Sequence, residues 1–432
     1  REDCKCIWWM NIGAEELWAS GENHIIPRLS VKNSGSIISN AEQMCLLLAD
    51  DRDIVIMKDE VSPEVIESLK TAGFDLPEIW YVKNDGSSVN TSISELILKN
   101  LEIIDRIRHI ERISSKVSLV PYAVTVYEKQ ISEATGCKIA GASPETSAWI
   151  NNKINARILA EDAGLPITEG FICNSADEVI FSIRQLRKSE NSKIVIKDAY
   201  GASGKGNYLI DSEKSLEYLY HILIRGKNRK KQFNVIVEKW YDTLADINYQ
   251  IFIRNDGTVI FIPPKKQLLD GMIYRGSDLY TYLLLSNEEI EIYREAANTI
   301  GKKLYEKGYR GIASIDSIIT KENVIYPVIE INGRFSLSTY ISFIPKLMAG
   351  TKYFKSKYYY AYTETMMSQA IERIRRNNYK PEKREGLLLY SCAKKTDTMP
   401  GRIFILYAYN DLDRLYAEER YFADISAEFL EI

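Results

Sequence analysis

Asp316, Glu330, Asn332 and Arg334 stand in two apolar runs, Ser314-Ile315-Asp316-Ser317-Ile318 and Ile329-Glu330-Ile331-Asn332-Gly333-Arg334. In a strand, residues two apart project from one face, so Glu330 and Asn332 point together while Ile329 and Ile331 face a core. A hairpin of 312–319 with 326–333 about Lys321-Glu322-Asn323 sets Asp316 opposite Glu330 and brings a third oxygen donor. Two carboxylates and an amide suit a hard cation such as magnesium, which leaves its other positions to water and phosphate oxygens. Manganese accepts the same kind of oxygen set. Arg334, further along the same face, carries a planar fork for a carboxylate or a phosphate.

Lys197 ends the apolar run that starts at Lys193 and leads into Gly201-Ala202-Ser203-Gly204-Lys205-Gly206. That run has neither the P-loop nor the dinucleotide-binding spacing, and a strand pattern over 207–211 follows where both motifs need a helix. It is therefore predicted to be a flap between two strands. Its glycines free backbone N–H groups for a phosphate, Ser203 adds a hydroxyl and Lys205 a charge. A bare glycine-serine turn is an equal reading of this loop taken alone. A second apolar run, Val235-Ile236-Val237, stops at the charged and aromatic edge Glu238-Lys239-Trp240.

Taken together, these pieces resemble the ATP-grasp superfamily of carboxylate ligases, over roughly residues 140 to 350, with Glu330-Ile331-Asn332-Gly333-Arg334 the most specific part. The resemblance implies ATP and magnesium. It places Lys153, Lys197, Gly201, Ser203, Gly204, Lys205 and Gly206 on the phosphates, and Glu238, Lys239 and Trp240 at the hinge that meets adenine. Asp246, with Asp242 as rival, falls at the ribose hydroxyls. Lys265, Lys266 and Arg275 come where phosphate or substrate contacts lie, Lys266 reading equally well as solvated charge. Asp316, Glu330 and Asn332 are the implied metal ligands, and Arg334, Lys205 and Arg275 the implied catalytic groups. Among superfamily members the chain is similar to pheganomycin-type peptide ligases and to the butirosin-type ligases that load glutamate onto an acyl carrier protein. The implied reaction activates an amino-acid or peptide carboxylate as an acyl phosphate and joins it to an amine, or to a carrier thiol, releasing ADP. A nucleotide-binding regulator without turnover and a kinase are the competing classes. A complete metal set argues against the first.

The elements that must position these groups follow from patterning. Ile7-Trp8-Trp9-Met10, 53–57 and 78–82 are predicted strands, and Ser62-Pro63-Glu64 opens a helix ended by Gly73. Strand, helix, strand at these lengths predicts a parallel α/β unit. Asn11 and Gly13 lie after the first strand, where such sheets bind ligands, although a tight turn is the commoner meaning. One helix is predicted over 92–117, others from Ser143 and over 154–163, 286–307 and 358–376, and strands over 386–392 and 401–407. Residues 246–253 and 258–262 alternate about Asn255-Asp256-Gly257 and predict a hairpin. The expected fold class is α/β (α+β): an N-terminal pre-ATP-grasp domain over 1–140, ATP-grasp domains over 141–350, and a helix and strand region over 351–432 completing them.

With 27% charged residues and a net charge of -3 in 432 residues, no overall basic field points to nucleic acid. No apolar run has transmembrane length and no leader pattern opens the chain, so a cytoplasmic protein off the membrane is expected, its native start left open by Arg1. Six cysteines without paired spacing read as reduced thiols, and the three histidines stand apart. The basic runs 227–231 and 373–383 read as solvated faces, with docking of an acidic carrier protein as the alternative. A homodimer is compatible with all of this.

Overall fold

The computed structural model describes residues 4–19, 40–82, 91–114, 116–187, 192–201, 206–228, 234–280, 283–397 and 399–427. Ser203, Gly204 and Lys205, and part of the basic run 227–231, lie outside them.

Five short strands form a parallel sheet in the order β3-β2-β1-β4-β5, from β1 (Lys5–Trp9), β2 (Ile54–Met57), β3 (Glu78–Tyr81), β4 (Val117–Pro121) and β5 (Lys138–Ile139). Parallel strands are covered on both faces, which is why Ile54-Val55-Ile56-Met57 is apolar without alternation and fully buried. Trp8 and Trp9 anchor opposite faces, their indole N–H groups donating to Asp53 at 3.1 Å and Ser94 at 3.0 Å. The helix expected over 92–117 is two, Ile93–Lys99 and Leu101–Ile113. Asn100 leaves helical geometry between them and caps the second by accepting from Ile103 N. Its former end, from Val117, is instead the strand β4. Ser62 stands at the predicted cap of Pro63–Thr71, yet its hydroxyl turns to Glu64 instead of the backbone.

A four-stranded antiparallel sheet, β6-β9-β7-β8, follows: β6 (Gly170–Cys173), β7 (Ile194–Asp198), β8 (Asn207–Ile210) and β9 (Val235–Lys239). The glycine run thus joins two paired strands, as its sequence context predicts. The third sheet is antiparallel with eight strands, β14-β13-β10-β11-β12-β15-β17-β16. Its members are β10 (Thr243–Ile253), β11 (Val259–Asp270), β12 (Ile273–Asp278), β13 (Gly311–Thr320), β14 (Ile325–Asn332), β15 (Tyr353–Ala361), β16 (Gly386–Ala393) and β17 (Gly401–Tyr409).

β15 corrects the helix expected from 358. Tyr358, Tyr359 and Tyr360 favour a pleated surface, and β15 completes the sheet between β12 and β17, so the helix starts only at Glu364. The C-terminal helix Leu412–Ala427 covers β15 and β17. The N-terminal sheet shares one core with β15–β17, in which Trp8, Met44, Leu47 and Val65 meet Phe354, Leu388 and Leu406. Gln43 closes that junction by accepting from Cys392 N at 2.9 Å and donating to Cys392 O at 3.3 Å. Among the described residues no helix is long and apolar enough to cross a membrane.

Candidate functional site

A cleft of about 590 Å³ lies where the four-stranded sheet faces β10–β14. Its floor is the predicted pairing: β13 and β14 align Asp316 with Glu330 and Ser314 with Asn332. Asp316 is buried. Its Oδ1 accepts from Asn248 at 2.8 Å and Gln267 at 2.7 Å, and its Oδ2 from Asn332 at 3.2 Å. Burial, and then the facing Glu330 charge, push its carboxyl up to about 6 despite the amide donors. Glu330 is not only a repelling neighbour, because Lys153 Nζ donates to it at 2.9 Å and to Gly201 O at 2.7 Å. Lys153 is 4% exposed, so the first turn of the helix Lys153–Asp162 delivers a buried cation to the floor.

At the other end Lys197 pairs with Glu238 at 2.6 Å, across neighbouring strands β7 and β9. Behind them Arg157 reaches Glu238 at 2.7 Å and the carbonyls of Thr168 and Gly170 at 2.9 and 3.1 Å. Burial works against the Glu238 charge, yet Lys197, Arg157 and the Thr168 hydroxyl outweigh it and hold the carboxyl below its ordinary range. Gly170 is fixed by this packing, since a Cβ there would come within 2.6 Å of Val237 O and 2.8 Å of Glu238 Cγ. Lys239, Trp240, Asp242 and Asp246 line the rim. Burial raises the Asp246 carboxyl against a hydrogen bond from Thr243, while Asp242 faces Lys193 at 3.3 Å and Lys321 at 3.8 Å. Asn207 Oδ1 is buried in the same wall without a hydrogen-bond partner among the described residues. Gly206 has φ +85°, a left-handed conformation that suits its type, and its carbonyl accepts from Asp198 N at 2.8 Å.

Two predicted groups are elsewhere. Arg275 alternates with the cleft-lining Tyr274 on β12, so it projects from the opposite face and meets Asp270 at 2.8 Å and the Tyr358 and Tyr360 rings. Lys265 lies beneath the floor, 3% exposed, donating to Ser342 at 2.8 Å. Burial lowers its ammonium to about 7 against the pull of Asp316. Asn11 is a structural tie, bonded to Ala123 and Glu128, and Ile12 and Glu15 line the cleft instead.

Arg334 is a fork already in use. Its Nη1 donates to Tyr122 Oη and Phe335 O, both at 2.8 Å; its Nη2 donates to Asn332 Oδ1 at 2.9 Å and pairs with Glu15 Oε1 at 2.6 Å. Arg157, Thr168, Asn207, Asn248, Gln267, Tyr122 and Glu15 were not singled out by sequence. Asn248 alone had a local signal, as a polar residue within the alternating run 246–253.

The donor set of the floor is oxygen only, with two carboxylates on residues paired across β13 and β14, which fits a hard divalent cation. Among the described residues no three His, Cys, Asp or Glu side chains cluster for a metal, so the set depends on the Asn332 amide as third donor.

Residues 152–344 match the family described as carbamoyl-phosphate synthase L chain, ATP binding domain. The chain is 26% identical over 336 residues to the [butirosin acyl-carrier protein]–L-glutamate ligase of Niallia circulans, covering 78% of this chain and 73% of that protein. An ADP complex of N5-carboxyaminoimidazole ribonucleotide synthetase superposes with a TM-score of 0.59 at 12% identity, covering 98% of this chain and 97% of that one. The biotin carboxylase domain dimer of Hydrogenobacter thermophilus 2-oxoglutarate carboxylase, with MgADP, ADP and bicarbonate, gives 0.56 at 14% identity, over 94% and 86%.

Proposed function

We propose that this chain, which shares its fold with the nucleotide-bound synthetase and carboxylase structures it superposes on, is an ADP-forming ligase of the ATP-grasp type that activates the carboxylate of an amino acid or peptide as an acyl phosphate and passes the acyl group to an amine. The observation that carries this reading is the convergence of Asp316, Glu330, Asn332, Lys153 and Arg334 on one floor, opposite the Lys197–Glu238 wall.

ATP enters as a substrate. Glu238, Lys239, Trp240 and Asn207 receive the base, Asp246 the ribose, and Lys197, Lys153 and the Gly201–Gly206 loop the phosphates. Asp316, Glu330 and Asn332 would hold magnesium, which supplies positive charge to the transferring phosphoryl group when bound. The acid's oxygen forms a bond to the γ-phosphorus as the bond to the ADP oxygen breaks. The amine nitrogen then attacks the acyl carbon, phosphate leaves with the bonding pair, and the nitrogen gives its proton to solvent. Positioning and charge are what this chemistry asks of the side chains. Arg334 orients the acid and meets the oxyanion that develops on it.

The likeness to a glutamate ligase acting on a carrier protein favours a second reading, in which the nucleophile is a carrier-bound thiol. Hydroxylamine replaces either nucleophile, so the test is ADP release and hydroxamate formation with the twenty common amino acids and short peptides. ADP, phosphate and hydroxamate are expected from at least one acid. AMP and pyrophosphate would overturn the acyl-phosphate reading in favour of an adenylate.

A further inference from the structure

Glu15 comes from the short helix Ala14–Trp18 after β1, yet it ends in the acid half of the cleft, 8% exposed, with Oε1 at 2.6 Å from Arg334. Arg334 is 7% exposed, and its two terminal nitrogens are engaged by Glu15, Asn332, Tyr122 and Phe335. Its Nε is buried and has no hydrogen-bond partner among the described residues. The pair is therefore an anion and a cation side by side in a water-poor wall of the cleft, with one donor of the guanidinium still unused.

Charge balance decides what such a wall accepts. A simple carboxylate reaching Arg334 would set two anions, its own and Glu15, against one buried guanidinium. An uncompensated buried charge is costly. An acid that also carries an ammonium restores the balance, its carboxylate facing Arg334 and its ammonium facing Glu15. Tyr122 holds the geometry from the N-terminal unit, its hydroxyl accepting from Arg334 and its ring 5.1 Å from the guanidinium carbon. We propose that Glu15 is the specificity-determining residue of the acid site and selects zwitterionic acids, with the ammonium close to the reacting carboxylate, over deaminated or N-acylated ones. This rests on the carboxylate-activation reading above, and it assigns the N-terminal unit a direct part in substrate choice.

The test separates binding from turnover. Calorimetric affinity is measured with magnesium and a non-hydrolysable ATP analogue for the twenty amino acids, and for the deaminated and N-acetylated forms of the tightest. The native protein should prefer the amino acid about 30-fold or more, and Glu15→Gln should shrink that preference below about threefold by weakening the amino acid, as expected for loss of one partner of a buried charge pair. Glu15→Asp keeps the charge and should keep most of the preference, which separates recognition from a fold defect. Equal affinity for the deaminated acid, no amino acid bound, or a preference untouched by Glu15→Gln would overturn the proposal. Hydroxamate trapping with the same acids reports on the parent reading alone. A Glu15-dependent preference without hydroxamate would sink acyl-phosphate formation and leave the recognition standing, whereas hydroxamate formed equally from the deaminated acid would do the reverse.

Discussion

At one end of the cleft a buried carboxylate, Glu238, is held by two cations, Lys197 and Arg157; at the floor two carboxylates, Asp316 and Glu330, face each other and Lys153 reaches only one of them. The first cluster is complete as it stands, and its carboxyl lies below the ordinary range. The second is short of positive charge, and its Asp316 carboxyl is pushed up to about 6. The difference separates two ways of using charge in one cleft: one end organises the wall before anything binds, and the other holds a deficit that a cation would fill.

The sharpest way to break this contrast is Glu330→Gln. If the floor serves a cation, kcat/KM should fall about 100- to 1,000-fold, while stability moves by only about 1 kcal/mol because the lost Lys153 pair is offset by relief of the Asp316 repulsion. Steady-state kinetics beside urea denaturation reads both, and a large loss of stability with modest loss of turnover would make the floor structural. Arg157→Ala should behave the opposite way. It removes one of two cations on a buried carboxylate and leaves the Thr168 and Gly170 carbonyls without their donor, so about 3 kcal/mol of stability should go. An unchanged urea midpoint would mean that Lys197 alone satisfies Glu238.

The pH dependence sharpens the contrast further. A metal ligand must be ionised, so if Asp316 serves a cation, with its carboxyl at about 6, the magnesium-dependent affinity for an ATP analogue should fall about tenfold per pH unit below that value and be flat above it. Stability runs the other way: a raised carboxyl contributes most below its unfolded value of 3.8, and that contribution is lost as pH rises through 6. Glu330→Gln removes the second cause of the shift and should move the bend in affinity toward acid. Titration calorimetry from pH 5 to 8 decides it, and a bend that stays put would leave burial as the sole cause. Arg275→Ala carries the smallest expectation, a change in kcat/KM below about twofold and in stability below about 1 kcal/mol, because its partners are an exposed aspartate and two rings away from the cleft. A tenfold loss of turnover would restore it to the site.

The floor was legible because strand periodicity is local. Glu330-Ile331-Asn332 states which side chains share a face, and the nearby Asp316 pairs across a short hairpin. The hinge wall was half legible: Glu238 and Lys197 ended apolar runs, but Arg157 is 81 residues from its carboxylate and looks like any helical arginine. Glu15 was invisible for the same reason, as nothing local marks an acidic residue of a short helix as the partner of Arg334. The tyrosine-rich segment Tyr353–Ala361 misled because spacing alone was weighed there, whereas the preference of aromatic side chains for a sheet and the free edges of β12 and β17 decided its form.

The shared core of the N-terminal sheet and β15–β17 has a consequence for biosynthesis. Met44, Leu47 and Val65 are translated early, but the strand that covers them is not complete until after Cys392, and Gln43 must wait 349 residues for its backbone partner. At about 5–20 residues per second that interval is roughly 20 to 70 s. Throughout it, one apolar face of the nascent N-terminal sheet leaves the ribosome without the strands that cover it in the finished fold.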